Sequence, residues 1–209
     1  MLLTEKFHSL QGEGYLTGEP MYFIRTNLCN LRCAWCDTTY SFENGREESL
    51  DSLVQECVAT WEKWICFTGG EPMLQREALD FMRQVTAGGK KVLLETGGSM
   101  DISKVTTIEG TMIDMDVKCP SSKEEKSIKL SNLQYLRNED YCKFVIQDKT
   151  DFEYADSFIK SHRMNCGIIF QPAWGTESRW IADEIMKRKL PVRLMIQSHK
   201  IVFGEGRGV

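Results

Sequence analysis

ICFTGGEPMLQREALDFMRQVTAGGKKVLLETGGS, residues 65–99, reads as a strand, a helix and a second strand, with glycine-rich polar sequence behind each strand. Ile65–Thr68 and Val92–Glu95 are β-rich runs too short for stable helices. Between them, Glu77–Thr86 sets Ala78, Leu79, Phe81, Met82 and Val85 at helical spacing and stops at Gly88-Gly89. A unit of this length predicts two parallel strands joined by a crossing helix.

The same alternation extends to both sides. Further strands are predicted at Tyr22–Thr26, Met112–Val117, Cys142–Ile146, Ile168–Phe170 and Val192–Ile196. Leu53–Trp61 is predicted to open after Ser52, with Gln55 at the third position of a capping box. Phe152–His162 follows the capping residue Asp151. Ser178–Lys189 carries Trp180, Ile181, Ile185 and Met186 on one side and ends before Pro191. About six repeats are too few for a closed eightfold barrel, which leaves a partial barrel or a doubly wound sheet. Neither an internal repeat nor a linker divides the chain, so residues 1–209 are expected to form one domain.

Unusual residues follow the strands. Cys29 comes after the first, T-G-G-E-P (68–72) after the second, and E-T-G-G-S (95–99) closes the third. D-V-K (116–118), Q-P-A-W (171–174) and Q-S-H-K (197–200) close later ones. Carboxyl ends of parallel strands build active sites.

The 209 residues are 42% hydrophobic, enough for a full core, and the net charge of −4 lacks the basic excess of a nucleic-acid binder. No run of about 20 apolar residues exists to span a membrane. The start, M-L-L-T-E-K-F-H-S-L-Q-G-E-G, turns polar by Thr4 and lacks the pattern of a signal peptide, so a cytoplasmic location is expected. In a reducing compartment the 8 cysteines are not expected to pair. Cys57, Cys66, Cys119, Cys142 and Cys166 sit mostly in apolar surroundings and read as small buried hydrophobes.

The other three are concentrated in C-N-L-R-C-A-W-C (29–36). Thiolates suit soft metals and iron–sulfur clusters. A structural zinc site needs four ligands, so Cys29, Cys33 and Cys36 would need a distant fourth such as Cys119 or His8. A four-iron cluster held by three cysteines instead leaves one iron open to a small ligand.

The spacing C-x-x-x-C-x-Φ-C, with Trp35 at Φ, resembles the radical S-adenosylmethionine (SAM) superfamily, and T-G-G-E-P is similar to its glycine motif. The resemblance implies an α/β fold: a partial (β/α)6-type radical SAM barrel in a single domain. F-H-S-L-Q-G-E-G (7–14), F-I-R-T-N-L-C (23–29) and C-D-T (36–38), with Q-S-H-K soon followed by G-R-G-V, resemble the 7-carboxy-7-deazaguanine synthase family. That family forms 7-carboxy-7-deazaguanine from 6-carboxy-5,6,7,8-tetrahydropterin with loss of ammonia, in queuosine and other deazapurine pathways. The resemblance implies a [4Fe-4S] cluster, SAM regenerated as a cofactor, Mg2+, a flavodoxin- or ferredoxin-type electron donor and a homodimer.

It also implies roles for residues. Cys29, Cys33 and Cys36, in a cluster loop over 29–40, would hold the cluster. Thr38 would bind Mg2+; its plainer reading is a hydroxyl that caps the loop. The planar fork of Arg25 matches a carboxylate in two hydrogen bonds and would clamp that of the substrate. Leu10, Gln11 and Gly12, with Glu13 nearby, would meet the pterin edge from an N-terminal strip over 7–14. Thr68 and the terminal carboxylate of Val209 would add substrate contacts, the latter from a tail over 199–209 that closes the site. SAM contacts carry over to Trp35, Cys36 and Asp37, to Gly70 and Glu71, to Asp116, Val117 and Lys118, and to Gln171, Pro172, Ala173 and Trp174. D-V-K departs from the serine-containing form in some family members, which leaves the hydrogen bond of Asp116 open. Gln197 and His199 alternate at the end of the last predicted strand and would face one side, which makes His199 a further candidate substrate contact.

Two readings compete. A glycyl-radical-enzyme activase shares the cysteine spacing and glycine motif but would lack Q-G-E-G and C-D-T. A non-catalytic, zinc-stabilised module would be colourless where an iron–sulfur protein is brown.

Overall fold

The structure is a computed structural model that describes residues 1–208. The role expected of Val209 lies outside the described residues.

In chain order the strands and helices are β1 (Leu2–Leu10), β2 (Pro20–Thr26), β3 (Arg46–Glu47), α1 (Leu50–Ala59), β4 (Trp64–Gly69), α2 (Ala78–Ala87), β5 (Lys91–Thr96), β6 (Thr111–Asp116), β7 (Tyr141–Ile146), α3 (Lys149–Ser161), β8 (Gly167–Pro172), α4 (Arg179–Arg188), β9 (Arg193–Leu194) and α5 (Ser198–Phe203). They build one nine-stranded sheet in the order β3-β1-β2-β4-β5-β6-β7-β8-β9. From β2 onward every neighbouring pair is parallel, while β1 and β3 add an antiparallel edge. The parallel strands follow chain order without reversal. A doubly wound sheet reverses at a switch point, so the architecture is that of a partial barrel.

Every predicted strand is present, but β1 and the two-residue β3 were not predicted. Strand β1 alternates weakly and most of its residues stay partly exposed, as befits a strand near the sheet edge. The last strand is shorter than expected, ending at Leu194; residues 195–197 are irregular, and the chain then turns into α5. Gln197 caps that helix and His199 lies inside it, so strand alternation does not govern either. Two crossovers, β5 to β6 and β6 to β7, use 3-10 turns in place of α-helices. The caps also move. Ser49, not Ser52, caps α1, its side chain accepting from Ser52 N at 3.2 Å. Asp148, not Asp151, caps α3; Asp151 is buried in the first turn, where it accepts from Ser121 N and Gln147 N, both at 2.9 Å.

Alternation along the strands sorts the two faces of the sheet. Tyr22, Ile24, Ile65, Phe67, Val92 and Leu94 point toward the helices, where Phe67 meets Phe81 of α2 at 4.8 Å between ring centroids. Met21, Phe23, Trp64, Cys66 and Leu93 form a separate small apolar cluster, joined by Phe7. They hold the opposite parity and define the inner face. Continued toward the carboxyl ends, that parity reaches Arg25, Thr68, Glu95, Asp114, Asp116, Lys143 and Gln171. The inner face is therefore apolar at the amino ends of the strands and charged where the loops begin.

Candidate active site

A cavity of about 580 Å³ opens at the carboxyl ends of the strands. Cys29, Cys33 and Cys36 border it together with Thr38, whose Oγ1 lies 3.6 Å from Cys36 Sγ. Among the described residues, no three His, Cys, Asp or Glu side chains group so as to hold one metal ion. The three thiols share the cavity wall. Neither distant zinc candidate joins them: His8 binds buried Glu62 at 2.6 Å, and Cys119 is buried in the core. Burial pushes the Cys33 thiol up to about 11 and raises Cys29 as well. Such thiols become ligands when a metal displaces their protons.

Backbone approach fixes the cysteine loop. A Cβ on Gly70 would lie 2.1 Å from Leu28 O and 2.9 Å from Cys29 Cβ, so only glycine lets the turn after β4 touch this loop. Glu71 N donates to Leu28 O at 2.8 Å. The buried Glu71 carboxylate accepts from Met73 N at 3.1 Å, Thr96 Oγ1 at 2.8 Å and Gly97 N at 2.8 Å. It ties the first glycine turn to the second; burial nonetheless raises its pKa.

Across the cavity, Lys118 pairs with Asp116 at 2.7 Å and lies 5.5 Å from the centre of the Trp35 ring. Burial would lower its pKa, but Asp116 and Cys33 outweigh that and raise it. Trp35 Nε1 donates to Ser121 Oγ at 3.1 Å. Gln171, Ala173 and half-exposed Trp174 complete this wall. Val117 and Pro172 are buried beside it and do not line the cavity.

The N-terminal strip faces them. Leu10, Gln11, Gly12 and Glu13 all border the cavity. Gln11 Nε2 donates to Glu95 Oε1 at 2.9 Å, and Gln11 Oε1 accepts from Glu13 N at 3.1 Å. Glu13 is held by Lys143 at 2.7 Å and Gln197 Nε2 at 2.7 Å. Burial would push its carboxyl up, but the Lys143 charge and hydrogen bonds from Lys143, Gln197 and Gln171 hold it well below the usual carboxylate range. Arg25 is largely buried; its Nε donates to Glu5 Oε1 at 2.7 Å, which also accepts from Tyr40 OH at 2.9 Å. Thr68 lies on the same floor.

The tail closes over this. A Cβ on Gly12 would lie 2.1 Å from His199 Nδ1, so the imidazole rests directly on the strip backbone. Ser198 N donates to Gly12 O at 2.9 Å, Lys200 pairs with Asp37 at 2.9 Å, and Trp174 Nε1 donates to Glu205 at 2.6 Å. The tail thus touches the strip, the cysteine loop and the loop after β8.

Sequence reasoning missed Glu95, Asp114, Lys143 and Gln147 as cavity residues. The first three carried a signal: charges at inward parity in otherwise apolar strands. Asp114 sits between Lys143 at 2.8 Å and the charges of Asp116 and Glu95; burial pushes its carboxyl up despite the lysine. Asp114 Oδ1, Asp116 Oδ1, Gln171 Oε1 and Gln197 Oε1 are buried without a hydrogen-bond partner among the described residues. These acceptors are left to accept hydrogen bonds from water or from a bound molecule.

The sequence model of the Radical SAM superfamily matches residues 23–141. The chain is 48% identical to the 7-carboxy-7-deazaguanine synthase of Thermoplasma acidophilum over 209 residues, covering all of both chains. It is 38% identical to the protein of that name from Koribacter versatilis, again covering all of both. Among solved structures, QueE from Escherichia coli superposes with a TM-score of 0.79 at 22% identity, over 95% of this chain and 94% of that one. Streptococcus suis SuiB bound to S-adenosylmethionine gives 0.58 at 11% identity, over 80% and 48%. At these identities the structures speak for the fold alone.

Proposed function

Because the chain belongs to the 7-carboxy-7-deazaguanine synthase family of the radical SAM superfamily, we propose that the cavity at the strand ends is where it makes this product from 6-carboxy-5,6,7,8-tetrahydropterin. The enzyme uses a [4Fe-4S] cluster, SAM and Mg2+. The observation that carries the site assignment is the placement of three thiols, Arg25 and the Gln11–Glu13 strip around one cavity.

Cys29, Cys33 and Cys36 would hold three irons and leave the fourth to SAM. When bound, the cluster and SAM would supply hydrogen-abstracting radical chemistry directed at C6 of the pterin. Gly70 and Glu71 present a rigid edge to the SAM amino acid, and Asp116, Lys118, Gln171, Ala173, Trp174 and Trp35 border the rest of SAM. Arg25 clamps the substrate carboxylate, its guanidinium already turned by Glu5. Thr38 Oγ1 would supply a hard oxygen to Mg2+. Gln11, Gly12, Glu13 and Leu10 match the pterin edge, Thr68 adds a hydroxyl, and His199 covers the ring from the tail. The tail contacts exclude water from a site that handles a radical. Val117 and Pro172 act through their backbone or by packing, since both are buried.

The reading also brings in a flavodoxin- or ferredoxin-type electron donor, a homodimer and a cytoplasmic location, on family grounds. Among the described residues no helix is long and apolar enough to cross a membrane. The full-length match at 48% identity favours this reading over an activase. The test is one incubation: reconstituted protein without oxygen, with SAM, Mg2+, reductant and 6-carboxytetrahydropterin, analysed by mass. Carboxydeazaguanine is expected. SAM cleavage without it would keep the superfamily chemistry and reject the substrate.

A further inference from the structure

Lys143 stands in the middle of β7, buried at the floor of the cavity. Its Nζ reaches Glu13 Oε2 at 2.7 Å, Asp114 Oδ2 at 2.8 Å and Asp116 Oδ1 at 3.7 Å. Removing an ammonium from water is costly, and a packed apolar side chain commonly serves stability as well as a buried ion pair. The charge therefore calls for a reason beyond folding. Asp114 and Asp116 share β6, next to Lys143 in the sheet. Glu13 comes from the strip 130 residues earlier in the chain. Its other oxygen accepts from Gln197 Nε2 at 2.7 Å, so both carboxylate oxygens are fixed. An ionised carboxylate still has lone pairs left to accept from a ligand.

The amino–lactam edge of a pterin presents two adjacent N–H donors. A carboxylate matches them only if it is ionised and its plane is set; a protonated acid would turn a donor toward a donor. We propose that Lys143 is a positioning residue for substrate recognition, whose ammonium keeps Glu13 ionised and aimed at the amino–lactam edge of the pterin. This rests on the reading that Glu13 contacts the substrate.

The groups around the pair are Gln197 and Gln171 beside Glu13, and Asp114, Asp116, Glu95 and Lys118 around Lys143. Burial alone would push the Glu13 carboxyl up, and the lysine is the main force against it. Without the ammonium, burial prevails and the carboxyl titrates at higher pH. Below that raised value Glu13 is protonated and recognition is lost; above it recognition returns. The wild-type carboxyl, held well below the usual range, stays ionised throughout.

The experiment measures KM and kcat of the reconstituted enzyme from mildly acidic to mildly alkaline pH for Glu13→Gln, Lys143→Met, Lys143→Arg and the double variant Glu13→Gln/Lys143→Met. Glu13→Gln should raise KM by about tenfold or more, the scale of a lost hydrogen bond to a charged group. Lys143→Met should do the same, with KM climbing further as pH falls and kcat changing far less. The double variant should be no worse than the worse single one, because both act on one contact. Lys143→Arg keeps the charge and should keep KM flat with pH; it carries the test if Lys143→Met does not fold. An acid-sensitive KM in Lys143→Arg, a normal or pH-flat KM in Lys143→Met, or multiplying effects in the double variant would each overturn the proposal. If Glu13→Gln leaves KM unchanged, the contact itself is wrong and the proposal falls with it. A raised KM in Glu13→Gln beside a normal one in Lys143→Met rejects the lysine role alone.

Discussion

Arg25 combines a buried guanidinium, a carboxylate that orients it and a position on the cavity wall. Arg25→Ala should raise KM for the carboxylated pterin by about tenfold or more, as expected for a lost charge-assisted bond, with SAM affinity unchanged; steady-state kinetics beside SAM titration checks this. Thr38 makes a second residue-scale case. Thr38→Ala should raise the Mg2+ concentration needed for half-maximal rate, and an unchanged Mg2+ dependence would return Thr38 to the role of a loop hydroxyl. Arg25 was legible because an arginine in an apolar run near a cysteine cluster is conspicuous. Glu95, Asp114 and Lys143 were harder to see. Each lies at an inward position, but inwardness follows from parity across neighbouring strands, and parity is fixed only when Phe23, Cys66 and Leu93 are seen to share a face. His199 was singled out on the assumption of a strand. It reaches the cavity from a helix, held there by contact with Gly12.

At the scale of elements, two close approaches decide the site. Gly70→Ala places a methyl against Leu28 O and must push the cysteine loop outward. The expected result is a lower iron content after reconstitution, measured by iron and sulfide analysis, while far-UV circular dichroism stays unchanged. Gly12→Val would collide with the His199 ring and lift the tail from the strip. Raised KM with normal iron content is expected; raised KM with iron loss would mean that the strip supports the cluster loop. The parallel strands and the four main helices were readable from their apolar spacing and run length, because these set which residues are buried. Their caps were not. Several polar residues precede each helix, and Ser49 prevails over Ser52, as Asp148 does over Asp151, through the path of the loop before it. Strand β1 escaped because few of its residues are fully buried.

For the molecule as a whole, the sheet keeps its stabilising and reacting parts apart. The helix-covered face holds the large core, and the inner face passes from a small apolar cluster to the charged cavity. Phe81, fully buried against Phe67, belongs to the first part. Phe81→Ala should cost about 3–5 kcal/mol, seen as a lower denaturation midpoint, while KM of the protein that stays folded is unchanged. The strand–helix rhythm made a parallel sheet predictable but left a partial barrel and a doubly wound sheet both open; the resemblance pointed to the first, and the unreversed strand order bears it out. The central claim is that three thiols at the carboxyl ends of these strands hold an iron–sulfur cluster with one iron open to SAM. Electron paramagnetic resonance of the anaerobic, reduced protein, before and after SAM is added, tests it most directly. The account predicts a reduced four-iron signal that changes shape when SAM binds, and that is lost in Cys33→Ala. A signal indifferent to SAM, or a purified protein without iron after reconstitution, would contradict it.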